Sequence, residues 1–408
     1  MTVKDNEDCY GCGLCAVICN KDAIKIELSP NGFYEPHLDE KKCVDCGLCS
    51  KTCAYNFAKR ALEAPVLKSF AAWSNDTQTR KECTSGGAAY ELAKTALTLG
   101  YKVCGVRYNG ERNVAEHYVA SSLEELLQSK GSKYIQSYTV DGFRSINKND
   151  KYLVVGTPCQ IDSFRRFIRL KRIGDNFILV DVYCHGVASM FIWQKYVSCL
   201  EQHIGKVYYA SWRNKVVWKD GFAENDYDEK ANEVYTGWHD SYNIIARGEN
   251  GKYQKRHSQG NPFFKFFMAE DCLGKACYTH CKYRYDNSSA DIRIGDMWGE
   301  EYRENKDGVN CIITFTEKGL ELVKQTNCEL KEYPFKIAAE GQHRKSPKIK
   351  LHDDVIHCAV TDPNISFDDM LAVLLRQRRK HIYREWIKHP IRTMKDVIRW
   401  ILKPIRKK

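Results

Sequence analysis

The chain has 408 residues, 43% of them apolar, which is too long for one small domain and rich enough for two or three ordinary cores. Its net charge of +11 is local: Arg376 to Lys408 hold thirteen Lys/Arg against Glu385 and Asp396, so the remainder is balanced and is no nucleic-acid surface. No run of eighteen apolar residues and no signal-type start occur, so a cytoplasmic, reducing setting is expected, where free thiolates can hold iron.

Eight of the nineteen cysteines stand near the start in two quartets, Cys9, Cys12, Cys15, Cys19 and Cys43, Cys46, Cys49, Cys53, each C-x₂-C-x₂-C-x₃-C with an internal Gly-Leu-Cys. This is the spacing of a bacterial-type ferredoxin with two [4Fe–4S] clusters, where the fourth cysteine of each run serves the other cluster. On that rule Cys9, Cys12, Cys15 and Cys53 hold one cluster, and Cys43, Cys46, Cys49 and Cys19 the second. Zinc fingers use paired cysteines instead of three plus one, and a disulfide framework needs a secretory setting. Such runs usually end Cys-Pro; here Asn20 and Ala54 follow, which removes no ligand.

After Ala58 to Pro65, which reads as a linker or a connecting helix, strands and helices alternate. Ser69–Trp73 reads as a strand, Ser85–Leu99 as a helix ended by Gly100, and Lys102–Tyr108 as a strand. Ser121 and Ser122, with Glu124 and Glu125, form capping boxes for a helix through Gln128. Tyr152–Val155 and Phe177–Tyr183 are buried-strand runs with an Arg-rich helix between them. The fold class is therefore an α/β body with parallel strand pairs, plus a small α+β ferredoxin-like domain and a helical basic tail. The expected boundaries are 1–60, 66–345 and 346–408.

In the body, Cys83-Thr84-Ser85-Gly86-Gly87 precedes a helix, either as an anion site at its N-terminus or as a plain cap with glycines for packing. Gly156-Thr157-Pro158-Cys159-Gln160 and Cys184-His185-Gly186 each follow a buried strand, where α/β sheets bind ligands. With Cys272, Cys277 and Cys281 they supply thiols for a third [4Fe–4S] cluster. Cys159, Cys184, Cys277 and Cys281 are the favoured ligands and Cys272 the substitute; the plainer reading makes Cys159 and Cys184 small buried residues. Residues 208–253 are rich in Trp and Tyr, and form either a substrate mouth or a β-rich insertion with an aromatic core. Cys104, Cys199, Cys311, Cys328 and Cys358 lack metal spacing and read as core. The tail mixes cations with Trp386, Ile387, Ile391, Val397, Ile398, Trp400 and Ile401, broken by Pro390 and Pro404. Either peripheral docking on the inner face of an anionic membrane or binding to an acidic partner protein accounts for it.

Ser85-Gly86-Gly87, Gly131 to Ser137, Gly156 to Gln160, Cys184 to Gly186 and Asp291 to Gly299 occur in the order seen in one family. The chain resembles coenzyme F420-reducing hydrogenase and dehydrogenase β-subunits, here with a fused ferredoxin. The resemblance implies FAD beside a [4Fe–4S] cluster, in an oxidoreductase that passes electrons between clusters and FAD, then to or from an organic two-electron substrate. It implies that Ser85, Gly86 and Gly87 meet FAD phosphates. It further implies that Ser132, Lys133 and Tyr134, the turn of Gly156, Thr157, Pro158 and Gln160, and Gly295 with Asp296 line the flavin crevice. From the residues alone, Lys133 could equally be a surface lysine and Asp296 a turn cap. Bacterial members commonly accompany polysaccharide biosynthesis, so the family does not settle the substrate. A different class stays open: a non-catalytic electron-transfer subunit linking a ferredoxin pool to a partner enzyme.

Overall fold

The computed structural model describes residues 3, 6, 8–219, 221–225, 233–349 and 353–388. Met1–Lys348 forms one compact unit and Ile349–Lys408 another. The first unit opens with a small antiparallel pair, β1 (Ile24–Leu28) and β2 (Tyr34–Leu38), flanked by two five-residue helices, Leu14–Ile18 and Leu48–Thr52. Each helix is entered from a glycine of the Gly-Leu-Cys repeat, Gly13 at φ 71° and Gly47 at φ 69°. Only glycine takes that left-handed turn at little cost, which explains its place in both quartets.

The body follows with β3 (Lys68–Ser74), β4 (Tyr101–Asn109), β5 (Val114–Ala120), β6 (Ser137–Tyr138), β7 (Lys151–Gly156) and β8 (Phe177–Val182). An excursion comes next, made of β9 (Val207–Arg213), β10 (Val216–Val217), β11 (Gly221–Ala223), β12 (Val234–Tyr235), β13 (Tyr242–Gly248) and β14 (Gly251–Arg256). The chain then returns as β15 (Ile292–Asp296), β16 (Asn310–Thr314) and β17 (Cys328–Glu332). Nine strands make one sheet in the order β17-β3-β16-β15-β8-β7-β4-β5-β6. Its centre, β4, β7, β8 and β15, is parallel, whereas β16, β3 and β17 add antiparallel at one edge and β5 pairs antiparallel with β4.

Alternate residues of the central strands face opposite layers. Leu153, Ile178, Val180 and Ile292 pack on one side with Leu92, Ala96 and Val323. Tyr152, Val154, Phe177 and Leu179 pack on the other with Phe164 and Ile168 of the helix Pro158–Lys171. Leu14 and Ile18 of the ferredoxin segment join that second layer almost fully buried. Each such side chain contributes roughly 1.5–3 kcal/mol by leaving water. Polar ties complete the joint: Thr139 Oγ1 donates to Cys12 O at 2.9 Å, Tyr34 N to Gln136 Oε1 at 2.9 Å, and Ala54 N to Ser163 Oγ at 3.1 Å.

Several expectations need correction. The helix expected from Ser85 starts at Ala88, because Ser85 Oγ donates to Val309 O and Gly87, at φ 86°, becomes the cap. The helix expected through Gln128 is α-helical only over Leu123–Leu126, then tightens into a 3₁₀ turn. Ser122 Oγ caps it by accepting from Glu125 N, while Ser121 contributes its backbone N–H to Glu125 Oε2. One expectation holds: the described residues of 208–253 form the β-rich insertion, with strands β11-β14-β13-β9 in a second sheet and Trp212 and Trp238 buried. Cys104 and Cys311 are core as expected, but Cys199 and Cys328 are half-buried and Cys358 is exposed.

The second unit contains the helices Asp353–Thr361 and Phe367–Lys388. The breaks at Pro390 and Pro404, with Ile391, Val397, Ile398, Trp400 and Ile401, lie outside the described residues. Among the described residues no helix is long and apolar enough to cross a membrane.

Candidate functional site

The quartets fold so that Cys9, Cys12, Cys15 and Cys53 line one small cavity. Burial raises all four thiols, and each is raised further by the charges of others in the set or, for Cys12, by Asp162. Gly11 N donates to Cys9 Sγ at 3.3 Å and Asn6 Nδ2 to Cys53 Sγ at 3.4 Å. Cys53 thus leaves its own run and joins the first three of the other. Cys19 and Cys49 flank the core of Ile24, Ile26 and Tyr34. Cys43 and Cys49 are half-buried and Cys46 is exposed, so this outer set sits at the surface.

The body's thiols converge at the carboxyl ends of β7 and β8, which run side by side with Gly156 opposite Asp181. Cys159 sits in the first turn of the helix Pro158–Lys171, and Cys184 lies just beyond β8. Cys277 belongs to the helix Lys275–Thr279, and Cys281 follows it. Burial dominates the rise of Cys159, Cys184 and Cys277; after it come mutual charges, Cys184 and Cys277 acting on Cys159, and Cys281 on both Cys184 and Cys277. The amides of Gly186 and Val187 donate toward Cys184 and Cys277. Cys272 stands apart, buried at φ 58° with its carbonyl accepting Ser189 N. Three desolvated thiols, Cys159, Cys184 and Cys277, beside half-buried Cys281 make a sulfur-rich donor set that fits a metal cluster.

Beside them lies a crevice of about 450 Å³. Of the predicted cofactor residues, Ser85, Gly87, Ser132, Lys133, Tyr134, Gly156, Thr157, Gln160, Gly295 and Asp296 border it, and so does Cys184. Gly86 and Pro158 do not. A Cβ on Gly86 would meet Ala72 O at 2.5 Å and Asn310 N at 2.9 Å, so this glycine lets the turn press onto the sheet. Of the groups proposed for phosphate, Ser85 Oγ is already engaged by Val309 O; the first N–H of the helix, that of Ala88, is likewise taken by Asn310 Oδ1 at 3.1 Å. Gln160 closes its own helix, accepting Thr157 N at 2.9 Å and donating to Ser137 Oγ at 3.1 Å. Lys133 is half-buried; desolvation lowers its ammonium to about 7, while Nζ donates to the carbonyls of Gln128 and Lys130.

The far wall holds residues that no sequence motif flagged. Arg213 pairs with Asp296 at 2.5 Å and lies over the Tyr242 ring, 4.3 Å from its centroid. Its only prior signal was the aromatic excursion that carries it. Tyr10 borders both the cavity of the inner cysteines and the crevice, and its hydroxyl donates to His280 O at 2.6 Å. His185, Glu270 and His343 approach one another at the rim, with ligating atoms within 4.8 Å.

A two-quartet ferredoxin segment packed behind a parallel α/β sheet whose crevice adjoins four further thiols defines an iron–sulfur redox protein. Residues 8–57 match the 4Fe-4S dicluster domain. Residues 69–141 match the coenzyme F420 hydrogenase/dehydrogenase β-subunit N-terminus, and residues 149–334 its C-terminus. These two matches span more than half of the chain, which belongs to the coenzyme F420 hydrogenase/dehydrogenase β-subunit family and to its oxidoreductase-type electron-transfer proteins. No curated protein matches it. Among solved structures, a chain of the xenon-derivatised F420-reducing [NiFe] hydrogenase complex from Methanosarcina barkeri is similar at 16% identity and a TM-score of 0.43, over 81% of this chain and 95% of that one.

Proposed function

We propose that the protein is an iron–sulfur flavoprotein oxidoreductase that passes electrons between [4Fe–4S] clusters and FAD, then to or from an organic two-electron substrate. The observation that carries this reading is Tyr10, one side chain bordering both the inner cysteine cavity and the crevice. Cys9, Cys12, Cys15 and Cys53 would hold one cluster, Cys19, Cys43, Cys46 and Cys49 a second, and Cys159, Cys184, Cys277 and Cys281 a third. When bound, such clusters supply single-electron exchange and FAD couples single electrons to a two-electron substrate. The chain's own contributions are distinct. Exposed Cys46 brings the outer set within reach of a redox partner protein. Burial keeps the inner thiols protonated until iron displaces the protons. Ser132, Lys133, Tyr134, Thr157, Gly295 and Asp296 would shape the flavin's walls.

An open rim, where Ser132 and His343 are exposed, favours substrate chemistry over a subunit that only relays electrons. Substrates of polysaccharide biosynthesis are the first class to screen. The tail is proposed to dock on an anionic membrane: Ile382, Tyr383, Trp386 and Ile387 recur at helical spacing, each more than half exposed, beside exposed Lys380, Arg384 and Lys388. The test of the main reading is acid release of the cofactor from anaerobic protein. FAD should be released, and reduced protein should be reoxidised by an acceptor only with FAD bound; turnover by flavin-free protein contradicts it.

A further inference from the structure

Three residues past Cys281 stands Arg284, 8% exposed and bordering the crevice. Its Nη1 donates to Cys184 O at 2.5 Å, and Nη2 donates to His185 O at 3.3 Å. Its buried Nε–H has no partner among the described residues. Among the described residues no carboxylate pairs with it. Other buried arginines of the same unit all have one: Arg165 with Asp291 at 3.0 Å, Arg213 with Asp296 at 2.5 Å, and Arg293 with Asp181 at 2.7 Å. A buried guanidinium that meets only carbonyl dipoles is costly to hold, because its desolvation is not offset by an opposite charge. The chain tolerates that cost where an anion completes the site.

The missing anion is next to it. Arg284 is the cation that acts most on Cys184, and it also lowers Cys277 against the rise that burial imposes on both. Four thiolates around an oxidised [4Fe–4S] core leave two net negative charges, and one-electron reduction adds a third with no proton taken up. We infer that Arg284 is the counter-ion of the four-cysteine site of the body and raises the reduction potential of the cluster held there. It acts through the cluster as a positioning residue and transfers no proton. This rests on the reading of Cys159, Cys184, Cys277 and Cys281 as ligands of a third cluster.

The experiment uses the full chain purified without air, with iron counted and clusters titrated potentiometrically under EPR detection. Wild type should hold about twelve irons. The body cluster's signal is assigned as the one absent from Cys159→Ser. Arg284→Gln should keep the iron but weaken reduction of that cluster at least tenfold, a negative shift of ~59 mV for one electron. The two ferredoxin clusters should stay in place, and Arg284→Lys should restore most of the shift. An unmoved body cluster in Arg284→Gln, or equal shifts in all three, overturns the role of Arg284 while leaving the third cluster standing. Should Arg284→Gln lose the cluster, Arg284→Lys must still assemble it near the wild-type potential, and a Lys variant that also loses it overturns the charge argument. A wild-type count of about eight irons removes the third cluster itself, and this inference with it.

Discussion

Replacing Arg293 by methionine attacks the most enclosed ion pair of the body. Arg293 and Asp181 are register neighbours on β15 and β8, and neither side chain is exposed. Two parallel bonds of 2.7 Å join Nε and Nη2 to the carboxylate, and three more donate to the carbonyls of Tyr283, Tyr285 and Asn287. The same guanidinium therefore secures the sheet and the segment leading away from Cys281. Methionine fills much of the volume but leaves Asp181, among the described residues, with Ser288 Oγ at 2.7 Å as its side-chain partner, and strands three carbonyls. Breaking a buried pair from one side costs about 3–5 kcal/mol. An unfolding entropy of about 2.1 cal/mol/K per residue makes this about 1.4 °C per kcal/mol for the unit Met1–Lys348, so Tm should fall by about 4–7 °C. Thermal unfolding of holoprotein at one scan rate reads this directly. Asp181→Leu added to Arg293→Met should recover part of the loss, because the unpaired carboxylate is gone. A drop under about 2 °C in the single variant, or a double variant worse than both singles combined, would refute the reasoning.

Other outcomes follow from the same geometry. Cys9→Ser with Cys53→Ser should cost only about four irons, since both serve one cluster, whereas Cys46→Ser with Cys53→Ser should cost about eight; run-by-run ligation predicts the reverse. His117 is buried and desolvation lowers its pKa to about 4, with a ring nitrogen at 3.0 Å from Val155 O. The folded state thus takes up its proton later than the unfolded state, whose pKa is near 6.5, so stability is full above about pH 6.5 and falls as pH drops toward 4. About 2 kcal/mol should be gone by pH 5, and His117→Phe should flatten that limb of a Tm–pH series; an unchanged slope argues against a neutral buried imidazole. Truncation before Arg376 should abolish binding to vesicles containing anionic lipid, each cation near such a surface adding on the order of 1 kcal/mol. Equal binding by the truncated chain ends the membrane reading.

The thiol spacings and the buried runs ahead of Gly156 and Cys184 were legible because they are local: a quartet, a period of two, a turn after a strand. For that reason the sequence alone outlines the inner cysteine set and the buried runs that pair as β7 and β8. What stayed hidden depends on distant partners. Ser85 reads as a phosphate ligand until Val309, 224 residues away, takes its hydroxyl, and Gly86 reads as a ligand loop until Ala72 O is seen beneath it. Arg213 reaches the crevice only because β9 folds back over the body, and Arg284 is distinctive through an absent carboxylate, which no single stretch of sequence displays. The mixed edge of the sheet has the same origin, since β3 lies far along the chain from its two neighbours β16 and β17. Cys358 reads as core because a cysteine without metal spacing is usually buried, yet it is exposed.

The most direct test is the content of iron, acid-labile sulfide and flavin in protein purified without air. About twelve irons with matching sulfide and one FAD per chain are predicted, four thiolates being spent on each cluster. About eight irons without flavin would contradict the account, leaving a dicluster ferredoxin attached to a body without a redox centre.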